Sequence, residues 1–318
     1  MTLTAVQGIR VGHAQLPGAG SGCTAVLGPF RGAVEVTGMA TGTREIGVLS
    51  PHHLVDRVDA ILLTGGSAFG LAAADGVMEW LSEQGFGFDT GVRPVPLVPT
   101  AVLFDLTPGG GTPGPLEGRE AAASASDGPV SEGRIGAGSG ATVGKLAGAQ
   151  WASPGGVGSA SAGVGGGVVG ALAVVNALGD VVDGEGTILA GARDPESGFR
   201  DSDELAREWT GTQQGFPGTN TTLAVVATDL PLGRLELGRL AKMASTALPR
   251  AISPVGTPFD GDVVFAVSTS PAEASISPRD LLALGVTARE VLEESIRRAV
   301  RREGDDEAHR PTPGGEAT

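Results

Sequence analysis

Tyrosine is missing from this sequence altogether, and Phe and Trp bring the aromatic share to only 4% of 318 residues. The interior must therefore be built from Val, Leu, Ile and Ala, and an apolar content of 41% is enough for a large core. Cysteine occurs once, at Cys23, which excludes an intramolecular disulfide and any multi-cysteine zinc site. Positive charge is scarce too: 22 Lys and Arg against 36 Asp and Glu leave a formal net charge of −14. That balance argues against a nucleic-acid binder, whose phosphate contacts need clustered basic residues. Only two of the basic residues are lysines, Lys145 and Lys242. No basic segment followed by an apolar stretch opens the chain, and no run of about 18 apolar residues occurs. No membrane partner is expected, and a soluble, cytoplasmic protein is the simplest reading. The four histidines show no metal-binding spacing such as H-E-x-x-H, so neither metal nor organic cofactor is expected.

Glycine, by contrast, is abundant, at 53 residues without a collagen period. It separates short apolar runs such as Gly22–Gly28 and Ala33–Gly38, which points to tight turns and close backbone approach. Asp59–Gly85 reads as strand, glycine turn, helix, with Leu71, Met78 and Leu81 on one helix face. Arg93–Leu106 reads as an extended segment whose prolines favour an edge or a strand entry. Thr107–Gly133 reads as a long surface excursion with one helical turn near Arg119–Ser124. Val168–Asp183 reads as two strands broken near Asn176 and Gly179, followed by a polar, mobile stretch to Phe216. Leu237, Leu240, Ala241, Ala244 and Leu248 keep helical spacing until Pro249 ends the run, and Asp262–Ser270 is strand-like. Thr287 and Glu290 form a capping box that opens a last helix. The tail from Glu303 is charged, then Pro/Gly-rich, and is expected to be disordered. Loosely alternating strands and helices without a repeat or linker indicate one α/β domain over residues 1–302.

Several motifs come close and fail. Ser139–Leu146 has glycine and lysine of a phosphate loop, but Ser139 stands where the first glycine belongs and Leu146 where the last hydroxyl belongs. Gly165–Gly170 fits G-x-G-x-x-G, yet a Val-rich strand follows instead of the helix that would receive a pyrophosphate. Gly65–Gly70, GGSAFG, departs from the G-x-S-x-G of serine hydrolases. Asn220-Thr221-Thr222 matches a glycosylation sequon but lacks a secretion signal.

One stretch, GTNTTLAVVATD (Gly218–Asp229), combines a turn with a buried strand. A hydroxyl nucleophile without histidine needs another base. An N-terminal threonine has one in its own α-amino group, whose pKa of about 7.7–8.0 leaves it substantially neutral near pH 8. Thr221 is internal as encoded, so this chemistry requires the chain to cut itself before it, by attack of the Thr221 hydroxyl on the Asn220 carbonyl.

Five ordered blocks then carry a resemblance: LLTGGSAFGLAAADGV (Leu62–Val77), GRIGAGSGATVGKLAG (Gly133–Gly148), ALAVVNALGDVVD (Ala171–Asp183), TNTTLAVVATD (Thr219–Asp229) and FDGDVVFAVST (Phe259–Thr269). The chain resembles the self-cleaving L-aminopeptidase/D-esterase and β-aminopeptidase family (peptidase family S58), which includes endo-type nylon-oligomer (6-aminohexanoate oligomer) hydrolases. The resemblance implies an α/β, four-layer αββα sandwich, N-terminal-nucleophile-hydrolase-like. It implies an α-chain 1–220 and a β-chain 221–318, assembled into a homo-oligomer, usually a tetramer. It places the nucleophile on Thr221 and the cut at Asn220–Thr221, the nearby lysine on Lys145, the oxyanion amide on Asn176, and the pair of polar groups on Asp260 and Asp262. It also puts Phe69 at a substrate-contacting position where several members carry a tyrosine as a second oxyanion contact; a missing donor can cost about 10²–10³ in rate, so either a backbone N–H replaces it or activity differs.

The residue types allow these roles and others. Asp260 and Asp262, spaced i and i+2 at a strand entrance, share a face, or form a solvated D-G-D turn. Lys145 in a glycine loop is either exposed or a buried ammonium that tunes a neighbouring amine. Asn176 interrupts an apolar strand as an oxyanion donor or as a structural bridge. The function expected is amide hydrolysis, aminopeptidase-type, on peptides or small linear amides. Alternatives are the endo-type nylon-oligomer reaction, acyl transfer as in the ornithine acetyltransferases, and a catalytically silent binding protein on the same scaffold.

Overall fold

The structure, a computed structural model, describes residues 1–18, 20–208, 220–274 and 276–301. Nine strands share one hydrogen-bonded array: β1 (Arg10–Gln15), β2 (Gly22–Val36), β3 (Gly42–Arg44), β4 (Val58–Thr64), β5 (Thr100–Val102), β6 (Gly156–Val164), β7 (Gly167–Asn176), β8 (Thr221–Thr228) and β9 (Val263–Ser268). Their order is β6-β7-β8-β9-β2-β4-β5-β3, with β1 also paired to β2. The pairs β8–β9 and β4–β5 are parallel, and the others antiparallel.

The apolar run Gly22–Gly28 and the first four residues of Ala33–Gly38 both fall on the 15-residue strand β2. Its first half pairs with β1 and β4, its second half with β9. The register against β4 shifts between Leu27 and Phe30, across Gly28-Pro29, where proline has no N–H to give the ladder. β2 thereby passes from one sheet into a second.

Side-chain alternation then separates three apolar interfaces. Leu172 and Val174 of β7, Leu223 and Val225 of β8, and Val263 and Phe265 of β9 meet Val26, Phe30, Ile61 and Leu63 between the sheets. The intervening residues Ala173, Val175, Ala224, Val226, Val264 and Ala266 face outward onto two helices. These are α3 (Arg234–Ser245), through Leu237, Leu240, Ala241 and Ala244, and α4 (Pro278–Arg298), through Leu284, Ala288, Leu292 and Ile296. Each fully buried Leu or Ile here contributes about 1.5–3 kcal/mol. On the other outer face Cys23, Ala25, Leu27, Ala60 and Leu62 meet α1 (Ala73–Glu83) and α2 (Pro115–Ala123). Helix, sheet, sheet, helix is the αββα order, in a single domain.

Three elements differ from the sequence reading. α2 is a nine-residue helix rather than one turn, and it lies against α1. Its approach depends on two glycines: a Cβ on Gly76 would stand 1.8 Å from the Pro115 carbonyl oxygen, and one on Gly118 1.8 Å from that of Ala73. α4 begins at Pro278, with Ser277 capping through its hydroxyl to the Asp280 N–H. Thr287 is mid-helix, and its hydroxyl returns to the Ala283 carbonyl. Pro249 sits in the first turn of a short helix, Leu248–Ala251, instead of ending the one before it.

The polar stretch after Gly184 carries a strand pair, Ala192–Asp194 with Gly198–Arg200, and a helix, Ser202–Glu208. Buried Asp180 gathers it, accepting from Ala192 N, Ser202 N and the Ser202 hydroxyl. Gly218 and Thr219 of the expected turn lie outside the described residues, as does the tail from Glu303. Among the described residues no helix is long and apolar enough to cross a membrane.

Candidate active site

The polar residues singled out in the sequence converge where three strands of the second sheet reach the same end. Asn176 is the last residue of β7 and stands opposite Thr221, the first of β8. Leu223 of β8 pairs with Val263 of β9, and one step further out Asn220 bridges to Asp260. The apolar alternation that fixes β7, β8 and β9 between two cores therefore also fixes the relative position of Asn176, Thr221 and the Asp260-Gly261-Asp262 turn. Asp260 and Asp262 lie just ahead of β9 rather than within it.

Thr221 is 4% exposed and Asn220 2%. The Thr221 Oγ1 donates to the carbonyl oxygen of Asn220 at 2.5 Å, so the hydroxyl is held at the peptide bond that precedes it. Gly261 N donates to that same oxygen at 2.9 Å. Asp262 Oδ1 accepts from Thr222 N at 2.6 Å, and Asp260 Oδ2 accepts from Thr257 N at 2.8 Å. Both carboxylates are 2% exposed, so the D-G-D turn is buried and not a solvated one.

Lys145 is delivered by a turn that glycine makes possible. A Cβ on Gly144, at φ +71°, would fall 2.1 Å from Ala192 N. Gly144 N and Lys145 N then donate to the Gly179 and Leu178 carbonyls. The Lys145 ammonium donates to the Asn176 carbonyl at 2.9 Å and to Asn176 Oδ1 at 2.8 Å. Asn176 Oδ1 also accepts from Thr142 N, while its Nδ2 donates to the Phe104 carbonyl at 3.1 Å. Asn176 is thus a bridge between β7, the Lys145 loop and the segment after β5.

Burial decides the electrostatics. The residue as a whole keeps some solvent contact, but enclosure of the Lys145 ammonium brings its pKa down to about 7, against the opposing pull of Asp260 and Asp105. Burial pushes the Asp262 carboxyl up to about 7, and neighbouring Asp260 adds to the rise. Asp260 is raised as well, chiefly by burial, with its hydrogen bonds to Thr257 and the Lys145 charge opposing. Two groups poised near neutrality beside a hydroxyl and a peptide carbonyl suit proton transfer during acyl chemistry.

Phe69 stands apart. It is 71% exposed on the turn Ser67–Ala72, where Gly66 and Ser67 both take positive φ. The site reaches that turn through Asp105, whose Oδ1 accepts from Gly66 N at 2.7 Å. Asp105 and its neighbour Phe104 escaped the sequence reading, as did Gly261 and Thr142. Phe104, not Phe69, is the phenylalanine whose backbone meets Asn176. A buried acid closing the apolar run AVLF was the available signal, because such a carboxyl needs partners.

Comparison with known proteins gives the chain's relatives. A model of peptidase family S58 matches residues 2–306. An uncharacterised aminopeptidase of Mycobacterium tuberculosis is 42% identical over 326 residues, covering 93% of this chain and 92% of the relative. A 6-aminohexanoate-oligomer endohydrolase of Paenarthrobacter ureafaciens is 31% identical over 306 residues, covering 91% and 83%. Among solved structures, the L-aminopeptidase D-Ala-esterase/amidase of Ochrobactrum anthropi, described as a variant of the Ntn-hydrolase fold, superposes with a TM-score of 0.69 at 21% identity, covering 94% of this chain and 85% of its own. A Burkholderia β-aminopeptidase superposes with a TM-score of 0.67 at 22% identity and the same coverage.

Proposed function

The chain belongs to peptidase family S58, and from that premise we propose that it is an N-terminal-threonine amide hydrolase, matured by its own cut between Asn220 and Thr221. The observation that carries the reading is the Thr221 hydroxyl, buried and hydrogen-bonded at 2.5 Å to the carbonyl of the residue before it. In the first reaction that hydroxyl attacks the Asn220 carbonyl carbon, the peptide C–N bond breaks, and the proton passes to the departing Thr221 amine. Water then hydrolyses the resulting ester. The freed amine acts as base in the second reaction, taking the hydroxyl proton as Thr221 attacks the substrate carbonyl and returning it to the leaving amine, after which water hydrolyses the acyl ester and restores the hydroxyl. Lys145, Asp260 and Asp262 set the charge around the nucleophile, and Asn176, opposite Thr221 in the ladder, holds the Lys145 loop through its amide oxygen.

The substrate class we favour is peptides and small linear amides, taken in aminopeptidase fashion, because the 42%-identical relatives bear that description. The 31%-identical oligomer endohydrolases favour a second reading, internal cleavage of 6-aminohexanoate oligomers. Intact mass of freshly folded protein tests the first claim: fragments ending at Asn220 and starting at Thr221 are expected. A single full-length species, or normal cleavage in Thr221→Ala, overturns it. A panel of amino-acid amides beside nylon oligomers separates the two substrate readings, since an N-terminally blocked oligomer is cut only by the internal mode.

A further inference from the structure

Among the described residues the peptide carbonyl before Thr221 receives two hydrogen bonds, and one of them comes from the backbone. Besides the Thr221 hydroxyl, Gly261 N donates to the Asn220 oxygen at 2.9 Å. Position 261 admits no side chain: a Cβ there would stand 2.7 Å from Thr221 Oγ1 and 2.9 Å from the Ala40 oxygen. The turn is held from behind by the segment that leaves β2. Thr37 N and Gly38 N both donate to the Asp262 carbonyl at 3.1 Å, and Ala40 N donates to that of Asp260 at 2.8 Å. Gly38 lies so close that a Cβ would meet Asp262 N at 2.2 Å and the Gly261 carbonyl carbon at 2.5 Å.

We propose that the backbone N–H of Gly261 is the oxyanion donor for the maturation cut, and that Gly38 is the positioning residue that keeps it there. The assignment rests on the self-cleaving reading above and adds to it the group that stabilises the tetrahedral state. As the Thr221 Oγ–C bond forms, negative charge develops on the Asn220 oxygen, and a fixed amide dipole already points at it. Collapse of that state breaks the C–N bond to Thr221 and places the hydroxyl proton on the new amine, leaving an ester. Hydrolysis of the ester passes through a second tetrahedral state on the same oxygen, so one donor serves both steps. Asn176 reaches the site from β7 on the opposite flank of β8. Gly261, in the turn ahead of β9, and Asn176, at the end of β7, therefore approach Thr221 from opposite sides of β8.

The test follows cleavage of the full chain by intact mass during cell-free synthesis. Glycolic acid at position 261 replaces the amide N–H by an ester oxygen and adds no atoms to the crowded turn. Cleavage about 10²-fold slower is expected, the usual loss for one oxyanion donor. Gly38→Ala is expected to slow cleavage by at least as much. Gly47→Ala, at a glycine with open space around its Cβ position, is expected to cleave at the wild-type rate. If Gly38→Ala fails to fold, the ester chain decides alone. An ester chain that cleaves as fast as wild type overturns the assignment while leaving self-cleavage intact. A wild-type chain that stays whole overturns both.

Discussion

Two aspartates at opposite ends of the same polar inventory, Asp180 and Asp262, are each 2% exposed and each pushed upward in pKa by burial. Asp180 accepts three hydrogen bonds, two from backbone amides and one from the Ser202 hydroxyl, and in doing so docks the Ser202–Glu208 helix and the Ala192–Asp194 strand. Asp262 accepts one, from Thr222 N, and its Oδ2 has no hydrogen-bond partner among the described residues. Identical burial thus serves different ends. A carboxylate that is saturated with donors acts as a staple, whereas one left short of donors beside another acid keeps its proton into the neutral range.

The sharpest division is expected from Thr221→Ala, which removes all detectable cleavage and turnover yet leaves the fold in place. Mass spectrometry and a melting curve read the two halves of that statement, and a cleaved Ala variant contradicts it. Asp262→Asn preserves an acceptor for Thr222 N but discards the ionisable group. Cleavage is expected to slow by about 10²-fold, within the usual range for a general acid–base group, with little loss of stability. Asp180→Ala is expected to do the reverse. Stranding three buried donors destabilises by about 3–5 kcal/mol, readable as a shifted denaturant midpoint in the Thr221→Ala background, while the residual chain still cleaves when Thr221 is present. Equal effects of Asp180→Ala and Asp262→Asn on both readouts would erase the distinction.

A subtler contrast lies in pH. The folded chain retains a proton on Asp262 up to about pH 7, which an unfolded carboxyl releases near 3.8. Stability from this group is therefore present in acid and lost as pH rises through 7. Lys145 works oppositely: its folded pKa of about 7 lies below the ordinary 10.5, so the unfolded chain binds the extra proton between those values. Stability from Lys145 is regained as pH climbs from 7 toward 10. Uncleaved Thr221→Ala protein is expected to show a shallow stability minimum near neutrality. Adding Asp262→Asn flattens its acid side, and adding Lys145→Met flattens its alkaline side. The smallest effect is assigned to Phe69→Ala: a ring so exposed contributes within about 0.5 kcal/mol, so a change confined to KM would mark it as a substrate contact and a large melting shift would not.

Much of the fold was legible because β strands buried on both faces read as near-continuous apolar runs. TTLAVVAT became β8, VVFAVS became β9, and the break at Asn176–Gly179 fell where β7 ends. α4 was misjudged at its start because two capping patterns compete. Thr287 with Glu290 satisfies the local rule, but Ser277 with Pro278 and Asp280 satisfies it ten residues earlier. α2 reads as a single turn because Gly118, which reads as a breaker, is what lets it touch α1. The ordered elements beyond Gly184 depend on Asp180, a partner at long sequence separation that no local pattern reveals. In the site, Thr221, Asn176, Lys145, Asp260 and Asp262 were placed chiefly by resemblance to a family. Gly261 and Gly38 were invisible because what they contribute is an N–H and a missing side chain.

The position of Thr221 at the head of β8 has a mechanical consequence. The proposed cut before it would sever the chain at the margin of a sheet in which two adjacent strands of the second piece lie between strands of the first. β8 is zipped to β7 of the first piece, and β9 is zipped to β2 of that same piece, while β8 and β9 remain neighbours. The second piece is shuffled into the first like a card into a deck. Neither piece could leave without opening two ladders and two apolar interfaces together, so the proposed nick would free a reactive end without freeing a subunit.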